Sequence, residues 1–211
     1  MTVFSMLLFV GLSVSLIPGT VPQCCPPLQF QTNIDKFTSF STFKTLMYSY
    51  DAKSRKLAVH VVAESKEDEY DLINDYAANK SYKWGRGRCY VSSSGLFNQT
   101  CVPARAKLVG RSFMGVSPYT FKVNTYRIMD GDLTRLITVG PNCTPVEYVK
   151  TTSKIPQPDL PFLLDGQFLW IFYNMTMGIK DSSIFTPPSI CFKKETRVDK
   201  RPADLPHLTQ F

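Results

Sequence analysis

Histidine is scarce in this chain, and the motifs of several enzyme classes are missing. Its two histidines are His60, in a strand-like run, and His207, near the C-terminus. A catalytic nucleophile usually needs a base beside it, so this scarcity argues against Ser–His or Cys–His catalysis. The G-x-S-x-G, H-E-x-x-H and glycine-rich phosphate-loop motifs are absent from the sequence. A glycosidase would need two carboxylates, and the sequence alone pairs no two of them. We therefore predict that the protein is not an enzyme and requires no cofactor.

Long apolar runs are scarce as well, and the clearest one is at the N-terminus. Residues 3–17 carry no charge, but the run is shorter than the ~20 residues that a transmembrane helix needs. The turn-forming residues after it are typical of a secretory signal peptide, although the usual basic start is missing. We predict cleavage between Gly19 and Cys24, and a buried N-terminal strand is the alternative. The predicted organisation is a signal peptide at 1–23, one β-domain at 24–201 and a flexible tail at 202–211.

The cysteines and the glycosylation motifs agree with export. An even number of cysteines in an exported chain predicts disulfides, and their spacing matches no zinc module. The six are Cys24, Cys25, Cys89, Cys101, Cys143 and Cys191. Four N-x-S/T sequons predict N-glycosylation at Asn79, Asn98, Asn142 and Asn174. Asn174 lies in a predicted strand, so it is usable only if its side chain faces solvent. We expect a secreted, extracellular glycoprotein.

Positive charge exceeds negative charge, with a formal net charge of +7. Basic residues gather at 80–88, 105–111 and 193–201. These segments are either ordinary solvated faces or surfaces that attract anionic lipid headgroups and acidic glycans. Nucleic acid is not expected as a partner of an exported chain. The acidic run 64–71 is either a calcium site or a solvated loop, and it lacks the ligand spacing and central glycine of an EF-hand.

Frequent Gly and Pro residues between short apolar runs predict an all-β fold. Asp130-Gly131-Asp132, between two apolar runs, is the strongest hairpin signal, and 51–55 is predicted as a second hairpin loop. The proline-rich segment 153–166 either plugs the edge of the core or covers a cavity as a lid. Strands are predicted at 42–50, 56–63, 71–77, 81–86, 107–114, 119–129, 133–139, 145–152 and 167–177.

The strand at 167–177 is apolar on both faces. Residues 168, 170 and 172 lie on one face, and residues 169, 171 and 173 lie on the other. An antiparallel sheet needs only one apolar face, so the second must meet another sheet, a ligand or another subunit. Small-molecule sites are concave and mostly apolar. Of these alternatives, a ligand predicts a hydrophobic pocket lined by Tyr82, Trp84, Phe121, Ile128, Phe168, Trp170 and Phe172.

The stretch after this strand, GIKDSSIFTPPSIC at 178–191, predicts a C-terminal clasp. Asp181 can accept hydrogen bonds from backbone N–H groups at the start of a short turn. The two prolines at 187–188 end regular structure, and Cys191 ties the segment down. We expect this motif to be structural and not to perform chemistry.

The same stretch resembles the C-terminal signature of the ependymin-related family, G-(I/V)-x-D-P-x-(V/I)-F-x-P-P-x-x-C. The S-Y-D at 49–51 with its basic turn resembles the family's hairpin, and Cys25-Pro26-Pro27 resembles its N-terminal C-x-x-P. Pro145-Val146, shortly after Cys143, resembles a further landmark. These landmarks span nearly the whole mature chain. Ser182 departs from the pattern, since the family commonly has proline there.

The resemblance implies a fold and a function. The fold would be two antiparallel sheets that form a curved half-barrel with a deep hydrophobic pocket, similar to bacterial lipoprotein carriers. The protein would be a secreted or lysosomal glycoprotein and homodimer that binds a lipid-like small molecule. The alternative is a calcium-binding protein of cell–matrix adhesion that transports no ligand, with an anionic membrane surface or the extracellular matrix as its partner.

The resemblance also implies a disulfide pattern. It pairs Cys89 with Cys191, which would hold the clasp against a neighbouring hairpin. The simplest assignment of the others is Cys25–Cys143 and Cys24–Cys101. Which of the two adjacent cysteines pairs with Cys143 stays open.

Overall fold

The computed structural model describes residues 24–38, 41–152, 168–193 and 197–198. The predicted signal peptide, the 153–166 loop and the C-terminal tail lie outside these residues. The all-β prediction is confirmed for the described part of the chain, in which helical structure is limited to short 3₁₀ turns. The strands are β1 Gln29–Thr38, β2 Ser41–Asp51, β3 Lys56–Val62, β4 Tyr70–Asp75, β5 Lys80–Gly85, β6 Arg88–Ser92, β7 Lys107–Val116, β8 Tyr119–Asp130, β9 Leu133–Val139, β10 Pro145–Thr152, β11 Phe168–Met177 and β12 Arg197–Val198.

The strands form one continuous, open sheet and not the two sheets that the resemblance implies. The order across the sheet is β12-β6-β5-β4-β3-β2-β1-β11-β10-β9-β8-β7. Neighbours are antiparallel except for β12, which runs parallel to β6. The reason for the single sheet is β1, which pairs with β2 on one side and β11 on the other. This strand joins the N-terminal and C-terminal halves into one hydrogen-bonded ladder.

One face of the sheet, called the inner face below, holds the larger core. Ile34 on β1 is completely buried, opposite Leu46 of β2 and Phe172 of β11. Each such side chain stabilises the fold by about 1.5–3 kcal/mol when it leaves water. Open sheets of more than about ten strands usually curl, and a curved sheet encloses a cluster of this kind. The cluster comprises Phe30, Ile34, Leu46, Tyr48, Tyr50, Leu57, Val59, Val61, Val102, Ile128, Ile137, Val139, Tyr148, Trp170 and Phe172.

The C-terminal clasp packs on the opposite, outer face. The Asp181 carboxylate accepts a 2.8 Å hydrogen bond from the Ser183 amide, which begins the 3₁₀ turn Ser182–Phe185. Phe185 and Cys191 are buried there in a second, smaller cluster. Its other buried members are Ala58, Ile73, Tyr82 and Cys89. The prediction that Asp181 begins a short turn is therefore confirmed.

Three disulfides tie these parts together. Cys89 pairs with Cys191, as the resemblance implies. The other assignment was wrong, because Cys24 pairs with Cys143 and Cys25 with Cys101. The reason is a short antiparallel bridge between Cys24 and Val102. This register sets Cys25 opposite Cys101, with Cα atoms 4.1 Å apart. Successive side chains of an extended chain point to opposite sides, so the Cys24 side chain points away from Cys101.

None of the described helical turns has the length and apolar character needed to cross a membrane.

Candidate ligand-binding site

The structure divides the seven predicted pocket residues among three places. Ile128, Trp170 and Phe172 are buried in the inner-face cluster, and Phe168 packs against it. These four therefore meet, but as part of a packed core. Leu169, Ile171 and Tyr173 form the other face of β11, and Ile171 is 40% exposed there. The surplus apolar face of β11 is thus the outer one.

The other three predicted pocket residues lie elsewhere. Tyr82 is buried in the outer-face cluster, and Trp84 packs against that cluster. They share a face, as the period of two predicts, but the ladder puts that face opposite to the one that carries Trp170. Phe121 is 41% exposed on the β7–β8 hairpin. Grouping Tyr82, Trp84 and Phe121 with the inner-face residues was therefore wrong.

A cleft of about 480 Å³ lies beside the core, between the loop before β4 and the strands β4–β6. This volume is within the range of small-molecule sites, ~300–1,000 Å³. Its lining mixes aromatic residues with charges of both signs. The lining residues are Lys44, Glu67, Asp68, Glu69, Tyr70, Lys83, Trp84, Gly85, Arg86, Arg88 and Tyr90.

The acidic loop closes one side of the cleft because Arg86 holds it. The Arg86 Nε donates to the Glu67 carbonyl oxygen at 2.5 Å. Its Nη2 lies 3.7 Å from carboxylate oxygens of both Glu67 and Asp68. Gly85 allows this close approach, since a Cβ there would lie 2.9 Å from the Glu69 carbonyl oxygen. The exposed ion pairs contribute little energy individually, so the backbone hydrogen bond and the close packing position the loop.

Tyr70 connects the cleft to the core. Its ring packs against the inner-face cluster and also lines the cleft. Burial raises the pKa of the Tyr70 hydroxyl, so this phenol is neutral at physiological pH. The Lys83 Nζ lies 4.2 Å from the centre of the same ring, a cation–π contact. The apolar surface of the core therefore continues into the floor of an open, charged cleft.

Three lysines form a row on the inner face, called the lysine row: Lys44 on β2, Lys36 on β1 and Lys150 on β10. The strand β11 lies between β1 and β10. Lys36 is directly opposite Lys44 in the β1–β2 ladder. The Lys36 and Lys150 ammonium groups lie 5.4 and 5.5 Å from the centre of one ring, that of Phe168. Burial, and then the positive charge of Lys44, lower the pKa of Lys36. No local pattern in the sequence indicates this row, because its members are far apart in the chain and meet only through the strand register.

The acidic run contributes no metal cage in the described part of the chain. Glu67 and Asp68 face Arg86, and the Asp71 carboxylate lies 2.7 Å from the His60 Nδ1 on the outer face. Among the residues described, no group of three or more His, Cys, Asp or Glu side chains is placed to hold a metal ion.

All four sequon asparagines are exposed. Asn79, Asn142 and Asn174 also have positive φ angles of 50°, 54° and 52°, which asparagine tolerates better than most residues. Asn174 lies where the β1–β11 register shifts, and this irregularity turns its side chain to solvent although it is within a strand. The condition for glycosylation at Asn174, an exposed side chain, is therefore met.

Comparisons with known proteins identify a family and a fold. The family model described as Ependymin matches residues 64–191. No curated protein matches the chain. An uncharacterized conserved protein from Thermus thermophilus has a similar solved structure, with a TM-score of 0.52 and 9% identity over 82% of this chain and 90% of that one. At this identity the likeness shows the fold alone.

Two structures of PNGF-II are more distant. Their TM-scores are 0.36 and 0.37, with 8% and 6% identity over 75% and 86% of this chain. The match covers 30% and 31% of those chains, and nothing below depends on it.

Proposed function

The chain belongs to the ependymin family, and from this premise we propose that it is a secreted glycoprotein that binds a hydrophobic, lipid-like ligand at the inner face of its sheet. Three disulfides support an oxidising, extracellular location. The four exposed sequons support glycosylation. A lysosomal lumen is the alternative location that the family likeness suggests.

The observation that carries this proposal is the continuity between core and cleft. Tyr70 belongs to both, so an apolar ligand that enters the cleft meets aromatic surface that already faces the core. Ligand sites typically combine such apolar surface with a few polar groups that orient the ligand. Lys83, Arg86 and Tyr90 supply polar groups at the rim. The inner-face cluster itself is packed with side chains, so the proposed site is the cleft and its junction with the core.

Binding of a fluorescent fatty acid tests the proposal. We expect saturable binding by the natural protein and co-purified lipid in native mass spectrometry. Tyr90→Ala, in the cleft, should weaken binding about tenfold or more, because burial of a large apolar side chain contributes about 1.5–3 kcal/mol and about 1.4 kcal/mol corresponds to tenfold. The matched control is Met47→Ala, at a half-exposed position of the outer face, which should bind normally. Absence of both co-purified lipid and saturable binding would refute the proposal.

Calcium-dependent adhesion to the extracellular matrix is the competing function. Glu67 and Asp68 of the acidic loop already face Arg86, and among the described residues no group of three or more His, Cys, Asp or Glu side chains is placed to hold a metal ion. This alternative therefore places calcium on glycans or on residues outside the described part. Calorimetry on the glycosylated and deglycosylated protein distinguishes these cases. Calcium binding by the glycosylated form alone would place the site on the glycans, and no binding by either form would remove this alternative.

A further inference from the structure

All four sequons lie at one end of the sheet, called the glycan end below. Asn79 is in the β4–β5 turn, Asn142 is in the β9–β10 turn, and Asn174 is three residues before the end of β11. Asn98 adjoins Phe97, whose ring lies 5.3 Å from an aromatic ring of the β4–β5 turn. The antiparallel register brings these strand ends together. Glycans at these sites would cover the glycan end and leave the opposite end, called the bare end, uncovered.

The bare end carries a band of positive charge on the inner face, called the cationic band. It extends the lysine row across the sheet through Lys83 on β5 and Arg88 on β6. Lys83 belongs to the inner face because it is directly opposite Leu72, which is opposite Val59 of the inner-face cluster. Arg88 is opposite Gly85, two residues beyond Lys83, and shares that face. In the order of the strands, the members of the band are Arg88, Lys83, Lys44, Lys36 and Lys150.

The cationic band keeps its charge. Within the described part of the chain, none of its members forms an ion pair with an Asp or Glu side chain. The carboxylates of Glu67 and Asp68 beside it face Arg86 instead. Lys36 is directly opposite Lys44, and like charges in such a pair are destabilising. An anion with several charges, placed along the band, would relieve this repulsion.

The length and curvature of the band favour a polymer. Seven strand spacings of ~4.8 Å separate β6 from β10, which is about 34 Å along the sheet. A single carboxylate or phosphate group contacts only the nearest cations, whereas a linear polyanion contacts them all. The inner face is the concave side of the curled sheet, so a flat membrane would meet its edges while a flexible chain follows the curve. Sulfated polysaccharides are the extracellular polymers with this charge pattern.

We propose that the cationic band binds a sulfated polysaccharide, a glycosaminoglycan chain, across the bare end of the sheet. This inference does not depend on the proposed hydrophobic ligand, because the polymer contacts ammonium and guanidinium groups at the rim and not the apolar floor of the cleft. Lysine ammonium groups act as compact point charges and not as planar forks. We therefore expect the band to respond to the density of sulfate groups more than to the identity of the sugar.

Binding of a heparin dodecasaccharide to the glycosylated mature protein tests the proposal. Desulfated heparin of the same length is the matched control for the polymer. The logarithm of the affinity for heparin should fall linearly with the logarithm of the salt concentration, because the protein displaces counterions condensed on a polyanion. Desulfated heparin should bind about tenfold or more weakly at about 0.15 M salt, since the counterion term falls with the number of anionic groups contacted. Equal affinity for the two polymers would overturn the proposal.

A triple variant, Lys36→Gln, Lys44→Gln and Arg88→Gln, assigns heparin binding to the band. Each lost contact should lower the salt slope by roughly 0.7–0.9, so the variant should lose about 2–3 in slope and about tenfold or more in affinity. At about 0.15 M salt, charges more than ~8 Å away are screened, so a control that removes the same charge from the glycan end should bind normally. This control is Lys53→Gln, Lys80→Gln and Lys180→Gln, all at exposed positions. Equal losses in the two variants would mean that only net charge matters and would overturn the site.

The fold of the triple variant is checked by its melting temperature, which should not decrease because like-charge repulsion is removed. If it does decrease, Arg88→Gln alone, at an exposed position, decides the question. This single variant should still lower the salt slope by about one, and an unchanged slope would refute the assignment.

Two competing explanations are tested on the natural protein. Vesicles of phosphatidylserine and phosphatidylcholine should not displace heparin, and displacement would assign the band to a membrane surface and overturn the proposal. Enzymatic removal of the N-glycans should leave the heparin affinity unchanged, because the sequons lie at the other end of the sheet. Clearly tighter binding after deglycosylation would contradict the bare end.

Discussion

The disulfide between Cys89 and Cys191 provides the sharpest stability prediction. It joins β6 to the clasp, and both residues are buried. The perturbation is the double substitution Cys89→Ala and Cys191→Ala, which leaves no free thiol at the site. Phe185 stays available to pack on the outer face, so the clasp loses its covalent tie and keeps its apolar contact.

The magnitude follows from the length of chain that the bridge closes. The two cysteines are 102 residues apart, and closing a loop of about 100 residues removes unfolded-state entropy equivalent to about 4.7 kcal/mol. The other two bridges offer a shorter route of about 60 residues, which lowers this value by only about 0.5 kcal/mol because the cost depends on the logarithm of loop length. We expect a loss of about 4 kcal/mol, a large part of the ~5–15 kcal/mol that stabilises a typical domain.

Urea unfolding of the oxidised proteins measures this loss. The m-value should increase in the variant, because a less cross-linked unfolded chain exposes more surface. The matched control is Cys25→Ala with Cys101→Ala, whose bridge spans 76 residues. The two variants should lose similar free energies, within about 1 kcal/mol. A loss below about 1 kcal/mol for the Cys89–Cys191 variant alone would refute the reasoning, since it would mean that the clasp is not held by unfolded-state entropy.

Three other predictions test the core, one turn and one exposed surface. Ile34→Ala, at a fully buried position, should lower the free energy of unfolding by about 2–5 kcal/mol in urea titrations, whereas Met47→Ala, 53% exposed, should change it by less than about 0.5 kcal/mol. Equal losses would contradict the assigned core. Burial raises the pKa of the Asp51 carboxyl, but the hydrogen bonds that it accepts, first from the Ser54 amide, outweigh burial and leave this pKa lowered. The charged form therefore stabilises the fold above the unfolded pKa, and this stabilisation is lost as the pH falls through the folded pKa. The stability difference between the natural protein and Asp51→Asn should accordingly shrink as the pH falls below the ordinary Asp pKa of about 3.9, and a difference that is constant with pH would contradict the assignment. Phe113→Ser with Tyr119→Ser, on the exposed apolar β7–β8 hairpin, should convert the homodimer that the family likeness implies into monomers in sedimentation. An unchanged sedimentation coefficient would exclude this hairpin as the interface.

Local residue patterns predicted most of the strands correctly. The strands β2, β3 and β8–β11 were predicted nearly to their ends, because β-branched and aromatic residues alternate there and Asp-Gly marks the β8–β9 turn. Three strands were missed, namely β1, β6 and the two-residue β12. The strand β1 carries Gln29, Gln31, Asn33 and Asp35 on alternate positions, so its composition resembles a loop although it lies in the middle of the sheet. The strand β6 is short and follows a basic turn.

The alternation pattern within each strand does not determine which faces of distant strands lie on the same side of the sheet. Tyr82 and Trp84 share a face, and so do Phe168, Trp170 and Phe172, as the period of two requires. Whether those two faces are the same depends on five intervening strand pairings. Each pairing can shift by one residue, and a shift of one residue moves every side chain to the other face. The seven predicted pocket residues are therefore separated by the sheet although the alternation within each strand was predicted correctly.

The sequence by itself determined the all-β class, the capped turn at Asp181, the four sequons and the family, because each is written in residues that are close together or in a contiguous motif. Tertiary structure alone decided which cysteine meets Cys143, which aromatic residues share a face, and that Lys36, Lys44 and Lys150 form one row. These are properties of register between strands distant in the chain. Register is set by the burial of many side chains together, and no local pattern contains that information.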